Sequence, residues 1–229
     1  MSIKDGKDYL YLIWKSNVTG RQYIVGQLTK NGQYEFQYCK EYEAAIEAGF
    51  KPLVSFENPD KIYTCNDLFP VFASRLPDRK RKDIDKILKK YGLDEFDAYE
   101  LLKMSGAKLP IDSLYFIDPI LNFDKSFEKT FHVAGARHYL GCEGDNCVKA
   151  IDVTRGDEVF LEREEDNAFD HNAIRVVNEK SELLGYVPRY YTEAFIRLME
   201  EERVISCHVV NVDKKQSCDE CIDVVIKIA

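Results

Sequence analysis

No stretch of the 229-residue chain approaches the roughly 18 consecutive apolar residues that a membrane span needs. Its first residues, MSIKDGKDYLYLIWKS, lack an apolar run followed by a small-residue cleavage site. These absences predict a cytoplasmic protein with no membrane partner. Seven cysteines, an odd number, do not suit a secreted disulfide framework and are expected as reduced thiols. Catalytic signatures are missing too. There is no Walker-type phosphate loop, no G-x-G-x-x-G, no G-x-S-x-G elbow and no kinase H-R-D…D-F-G set. Histidine is scarce: His132, His138, His171 and His208 stand at spacings that match no helical metal pair, and His132 and His208 fall inside strand patterns, where a structural role is expected. The expectation is a protein without catalysis and without a cofactor.

Basic charge is short in one half only. Residues 1–125 hold 19 Lys and Arg against 19 Asp and Glu, whereas residues 126–229 hold 13 against 21, so the whole net charge of −8 lies in the second part. An acidic surface is a poor track for a phosphate backbone, because counterion release needs clustered Lys and Arg. If the second half binds nucleic acid, it must do so through a small, shaped pocket.

What is present organises into two halves. "DYLYLIWKS" and "QYIVGQLT" are rich in aromatic and β-branched residues and are separated by the turn-prone "NVTGR". Asn31-Gly32 signals a hairpin into "QYEFQY", where Tyr34, Phe36 and Tyr38 alternate on one face. "EYEAAIEAG" reads as a short helix ending at Gly49. In "PDRKRKDIDKILKKYG", Ile84, Ile87, Leu88 and Tyr91 form one helical stripe, with the basic run Arg79–Lys82 as a solvated helix face rather than a phosphate patch. "LDEFDAYELLKMSG" reads as a further helix, capped by Asp94 and stopped by Gly106. The polar "ILNFDKSFEKT", with Pro119 ahead of it, places a boundary near residue 125 and gives two modules, 1–125 and 126–229. The second module shows six short strand patterns and one amphipathic helix, "YTEAFIRLMEEE", expected to bury Tyr191, Phe195, Leu198 and Met199. That pattern predicts a small, partly closed barrel. The fold class is α+β: an N-terminal antiparallel sheet with helices, then a β-barrel with one or two helices.

Three pieces of the second half carry the functional argument: "FHVAGARHYLG", "LEREEDNAFDHNAIRVV" and "LLGYVPR". The middle piece is strand, polar turn, strand. Asp166-Asn167 and Asp170-His171-Asn172 are turn residues, with Phe169 between them. An aromatic in such a turn either plugs the end of the barrel or stays available. Aromatic faces interleaved with a carboxylate and amides suit a splayed nucleotide, whose bases stack while the acid accepts a hydrogen bond from a sugar hydroxyl.

Together these pieces resemble the HIRAN domain over about 100 residues, in three ordered motifs. The resemblance implies an OB-like barrel whose pocket takes the 3′-hydroxyl end of single-stranded DNA. It implies that Arg137 meets phosphate, that His138 and Phe169 stack on terminal bases, that Asp170 bonds the 3′-hydroxyl, and that Tyr186 lines the pocket. Tyr139, Asn172 and Arg189 complete the expected nucleic-acid-binding set. His138 and Phe169 stand where DNA-binding members carry tyrosine, and Tyr186 where they carry histidine, so aromatic character is kept while the polar tips differ.

The first half resembles the N-terminal subdomain of HipA-type toxin kinases, through "VGQLTKNGQYEFQY", "KPLVSF", "DLFPVFASRLPD" and "FDAYELLKMSGA" in that order. No kinase lobe follows, so the resemblance implies docking on a partner, such as a HipA-like kinase, and no activity. Two main function classes follow: a binder of single-stranded DNA ends in bacterial repair or defence, and an antitoxin-like protein-interaction regulator. A nuclease or phosphatase with an unrecognised site is a third.

The cysteine spacing offers one metal arrangement. Cys142-x4-Cys147 and Cys218-x2-Cys221, with Cys207, would make a zinc site if their loops met. The acidic neighbours Glu143, Asp145, Asp219 and Glu220 oppose thiolate formation, so free loop thiols and no metal are expected.

Overall fold

The computed structural model describes residues 2–39, 41–140, 153–213 and 221–229. The chain divides into two compact units, Met1–Asn122 and Phe123–Ala229. Both mix strands with a few helices, as the α+β reading expects.

In the first unit the strands are β1 (Ile3–Lys4), β2 (Lys7–Lys15), β3 (Gln22–Asn31), β4 (Gln33–Tyr38), β5 (Tyr63–Cys65) and β6 (Leu114–Ile117). They form one antiparallel sheet in the order β1-β2-β3-β4-β5, with β6 also paired to β2. The β3–β4 hairpin turns at Gly32, whose φ of +72° a residue with a Cβ adopts only at a cost. Four helices accompany the sheet: α1 (Tyr42–Glu47), α2 (Pro70–Ala73), α3 (Ile84–Lys90) and α4 (Ala98–Ser105). The core is aromatic. Phe36 is fully buried; it stacks on Phe56 at 4.3 Å and meets Phe72 edge-on at 5.2 Å. Trp14, the single tryptophan of the chain, packs at this core's margin against Tyr23 and Phe50. Arg75 locks the segment after α4. Its guanidinium donates to both carboxylate oxygens of Asp112, at 2.6 and 2.9 Å, and to the carbonyls of Ala107 and Leu114.

Two local expectations are corrected here. The helix read over 77–92 begins only at Ile84, because Asp78 Oδ1 accepts the Lys80 N–H and Arg81 pairs with Asp83, holding the chain in turns. The basic run Arg79–Lys82 is therefore exposed turn and not a helix face. The N-cap of α4 is Asp97, not Asp94: Asp97 accepts the N–H groups of Tyr99 and Glu100, which leaves Asp94 upstream of the helix. Gly106 ends α4 at φ +65°, as expected.

In the second unit the strands are β7 (Phe127–His132), β8 (Val159–Arg163), β9 (Ile174–Asn178), β10 (Leu183–Tyr186), β11 (Val204–Val212) and β12 (Ile222–Ile228). They make two antiparallel sheets, β10-β9-β8 and β11-β12-β7. Two isolated bridges join the sheets at their edges, Ala134 with Tyr186 and Glu158 with His208. The result is OB-like and partly closed. The helices are α5 (Ala136–Tyr139) and α6 (Arg189–Glu200). α6 buries Tyr191, Thr192, Phe195 and Leu198, while Met199 is only half-buried. Phe195 meets Phe131 of β7 at 5.4 Å, which fastens the helix to the sheet.

Each unit has its own core, so independent folding is the expectation. Limited proteolysis should cut between Pro119 and Lys129 and leave two stable fragments; rapid loss of both fragments after that cut would refute independence.

Candidate nucleic-acid interface

The candidate site begins with a missing side chain. Gly185 in β10 has φ +147°, and a Cβ built there would lie 2.5 Å from the Ala134 carbonyl oxygen and 2.7 Å from a Val133 methyl. Only glycine lets the two backbones come this close. Ala134 and Tyr186 then exchange hydrogen bonds of 2.8 and 2.9 Å. The chain turns at Gly135, φ +73°, into α5. Ala136 is buried against the barrel, which leaves Arg137, His138 and Tyr139 exposed on the short helix. The Tyr139 ring lies 5.5 Å from the Tyr186 ring, tilted by 59°.

Tyr186 links this edge to the turn between β8 and β9. Its hydroxyl donates to Glu164 Oε2 at 2.9 Å, and Asn167 Nδ2 donates to the same oxygen at 2.6 Å. Asn167 Oδ1 in turn accepts the backbone N–H of Phe169 at 3.0 Å and of Asp170 at 3.1 Å. This Asx-type turn fixes the backbone at Phe169, whose ring is 92% exposed. Asp170 Oδ1 accepts the Asn172 N–H at 3.0 Å, and its Oδ2 lies 3.4 Å from Arg189 Nε at the start of α6. The two hydrogen bonds from Asn167 and Tyr186 hold the Glu164 carboxyl below its usual range. Burial, then hydrogen bonding with Tyr139 and Glu164, pushes the Tyr186 phenol above its usual range.

Of the expected residues, the structure gathers Tyr139, Tyr186, Asp170 and Arg189, with Phe169 at the tip of the same turn. Arg137 and His138 share α5 with Tyr139. Asn172 contributes its backbone to Asp170, and its side chain is exposed. Glu164 stands outside the expected set; with the turn residue Asn167 it connects Tyr186 to the Phe169 turn. The signal was present in "E-x-x-N": a carboxylate closing a strand, three residues before a turn amide.

Cys142, Cys147 and Cys218 lie outside the described residues. Cys221 and Cys207 are buried, and burial, helped by Glu158, pushes the Cys207 thiol up to about 12, so it stays protonated. Among the described residues no group of three or more His, Cys, Asp or Glu side chains is placed to hold a metal. Among the same residues, no helix is long and apolar enough to cross a membrane.

Residues 127–228 match the model of the HIRAN domain. The match runs over nearly the whole of the second unit, which is therefore similar to the HIRAN domain. Residues 16–110, ahead of it, match the model of the HipA N-terminal domain. Among solved structures, the HIRAN domain of human HLTF is 19% identical, over 44% of this chain and 74% of that one, with a TM-score of 0.34. A structural-genomics protein from Lactobacillus plantarum is 21% identical, over 46% of this chain and all of that one, with a TM-score of 0.32. No curated protein matches the chain.

The closure that builds the HIRAN site should be sensitive at one position. Gly185→Ala adds both a left-handed strain and a backbone clash, and should cost about 2–3 kcal/mol of the second unit's stability by chemical denaturation. A variant as stable as the parent would show that the Ala134–Tyr186 contact is dispensable.

Proposed function

We propose that the HIRAN unit binds single-stranded DNA without catalysis and grips its 3′-hydroxyl end, in bacterial repair or defence within the cytoplasm. The HIRAN match supports a DNA-binding role. The observation that carries the finer reading is the linked set Tyr139–Tyr186–Glu164–Asn167, which ends in an exposed Phe169 beside the Asp170–Arg189 pair. It offers a ring for stacking, a carboxylate to accept from a sugar hydroxyl, and a cation for phosphate. No nucleophile paired with a base takes part in it.

Affinity should come from this set and not from a charged track. Salt dependence should be shallow, about −0.7 in the log-log slope for each phosphate contacted on a single strand. Phe169→Ala should weaken binding about 5- to 150-fold, since stacking supplies roughly 1–3 kcal/mol per base. Asp170→Ala should erase the preference for a 3′-hydroxyl over a 3′-phosphate, both by removing like-charge repulsion and by releasing Arg189 toward phosphate. Fluorescence anisotropy with the two kinds of oligonucleotide measures all three. Equal binding of both strands by the unmodified protein would refute end capture.

A second reading concerns the first unit and rests on its match to the HipA N-terminal domain. Residues 1–125 would dock on a HipA-type kinase, making the chain an interaction regulator. Co-purification of the full chain with such a kinase, lost when the first unit is removed, is the expected result; equal recovery without that unit would refute docking.

A further inference from the structure

A tyrosine hydroxyl has one hydrogen and two lone pairs, and an ionised carboxylate can only accept. The Tyr186 hydroxyl lies 2.9 Å from Glu164 Oε2. Glu164 cannot donate back, so the single hydrogen of Tyr186 is committed to it. Toward any further group, Tyr186 is then an acceptor only. The same Oε2 accepts from Asn167, whose other end fixes the turn that carries Asp170. Asp170 is a second acceptor-only group, and its Oδ2 is set against the Arg189 guanidinium. Two carboxylates and a lone-pair-only phenol thus belong to one hydrogen-bonded assembly.

We infer that Glu164 is the positioning residue that sets the hydrogen-bond polarity of this assembly, and that through Tyr186 it makes the site select a strand end that donates a hydrogen bond over one that carries a terminal phosphate. This inference rests on the end-binding reading above. A sugar hydroxyl brings a hydrogen for Tyr186 or Asp170 to accept. A phosphate monoester brings acceptor oxygens and negative charge; beside Tyr186 it meets a lone pair and the Asp170 carboxylate, whose hold on the Arg189 guanidinium it must compete with. Were the phenol hydrogen free, Tyr186 would serve a phosphate equally well; the bond to Glu164 removes that option. Glu164 need not touch DNA to have this effect.

The test is Glu164→Gln in the full chain, with Tyr186→Phe as a second variant. The glutamine carbonyl can still accept from Asn167, so the turn keeps its support. The same carbonyl, being neutral, holds the phenol hydrogen less firmly than the carboxylate does. Binding of one oligonucleotide sequence, ending in 3′-hydroxyl or 3′-phosphate, is followed by fluorescence anisotropy. The readout is the ratio of the two dissociation constants, with thermal melting run in parallel. Glu164→Gln should lower the preference for the hydroxyl end roughly three- to tenfold with little change in melting. Tyr186→Phe should weaken the hydroxyl-ended strand by a similar factor and leave the phosphate-ended strand unchanged. If Glu164→Gln fails to fold, Tyr186→Phe decides alone, since its ring can still pack against Tyr139. An unmodified protein that discriminates, with variants that keep its ratio, overturns the inference while end capture stands. An unmodified protein that binds both ends equally, or neither, overturns end capture and this inference together; that failure is visible without any variant.

Discussion

Position 185 has no room for a side chain, and two features of the second unit follow from that. Because the Gly185 backbone can lie against Val133 and Ala134, the edge of one three-stranded sheet reaches the chain leaving the other. The same contact decides where α5 starts, since Gly135 and the buried Ala136 come directly after it. Barrel closure and placement of the Arg137–Tyr139 helix are therefore one event. Tyr186 belongs to it too, being the residue that exchanges backbone bonds with Ala134 while its side chain reaches Glu164.

The charge distribution explains why such a compact arrangement is needed. With the whole of the −8 in residues 126–229, the second unit offers no broad electrostatic field for a phosphate backbone. If it takes a DNA end as proposed, affinity has to come from stacking, short hydrogen bonds and local pairing, which depend on geometry. Geometry of that kind has to be held before the ligand arrives, because ordering a turn on binding would consume the small gain available. Asn167 serves this end: its side chain secures the backbone N–H groups of Phe169 and Asp170, so only the ring torsions at Phe169 remain to be fixed.

The strands were legible in the sequence because their signals are local. Alternation at Tyr34, Phe36 and Tyr38, the Asn31-Gly32 hairpin and the β-branched runs of the second half each find their strand. The stripe of α6 was legible for the same reason, except at Met199, which sits at the margin of the buried face. The errors arose where two local interactions compete. Asp78 and Asp83 captured the backbone and side chains that would have extended α3, and Asp97 outcompeted Asp94 for the cap. In the site, the motifs name Tyr139, Phe169, Asp170, Tyr186 and Arg189, which the folded chain brings to one edge of the barrel. They do not single out Glu164, because its role depends on Tyr186, 22 positions later in the chain, and only the folded barrel brings the two together.

The location of Trp14 has a spectroscopic consequence. It is the sole tryptophan, and it packs in the first unit against Tyr23 and Phe50. Its emission therefore reports on the sheet of the first unit, while Tyr139, Phe169 and Tyr186 of the candidate site carry no indole. Any change in tryptophan emission as DNA is added would come from a residue outside the candidate site. Such a signal would place an effect of DNA in the first unit.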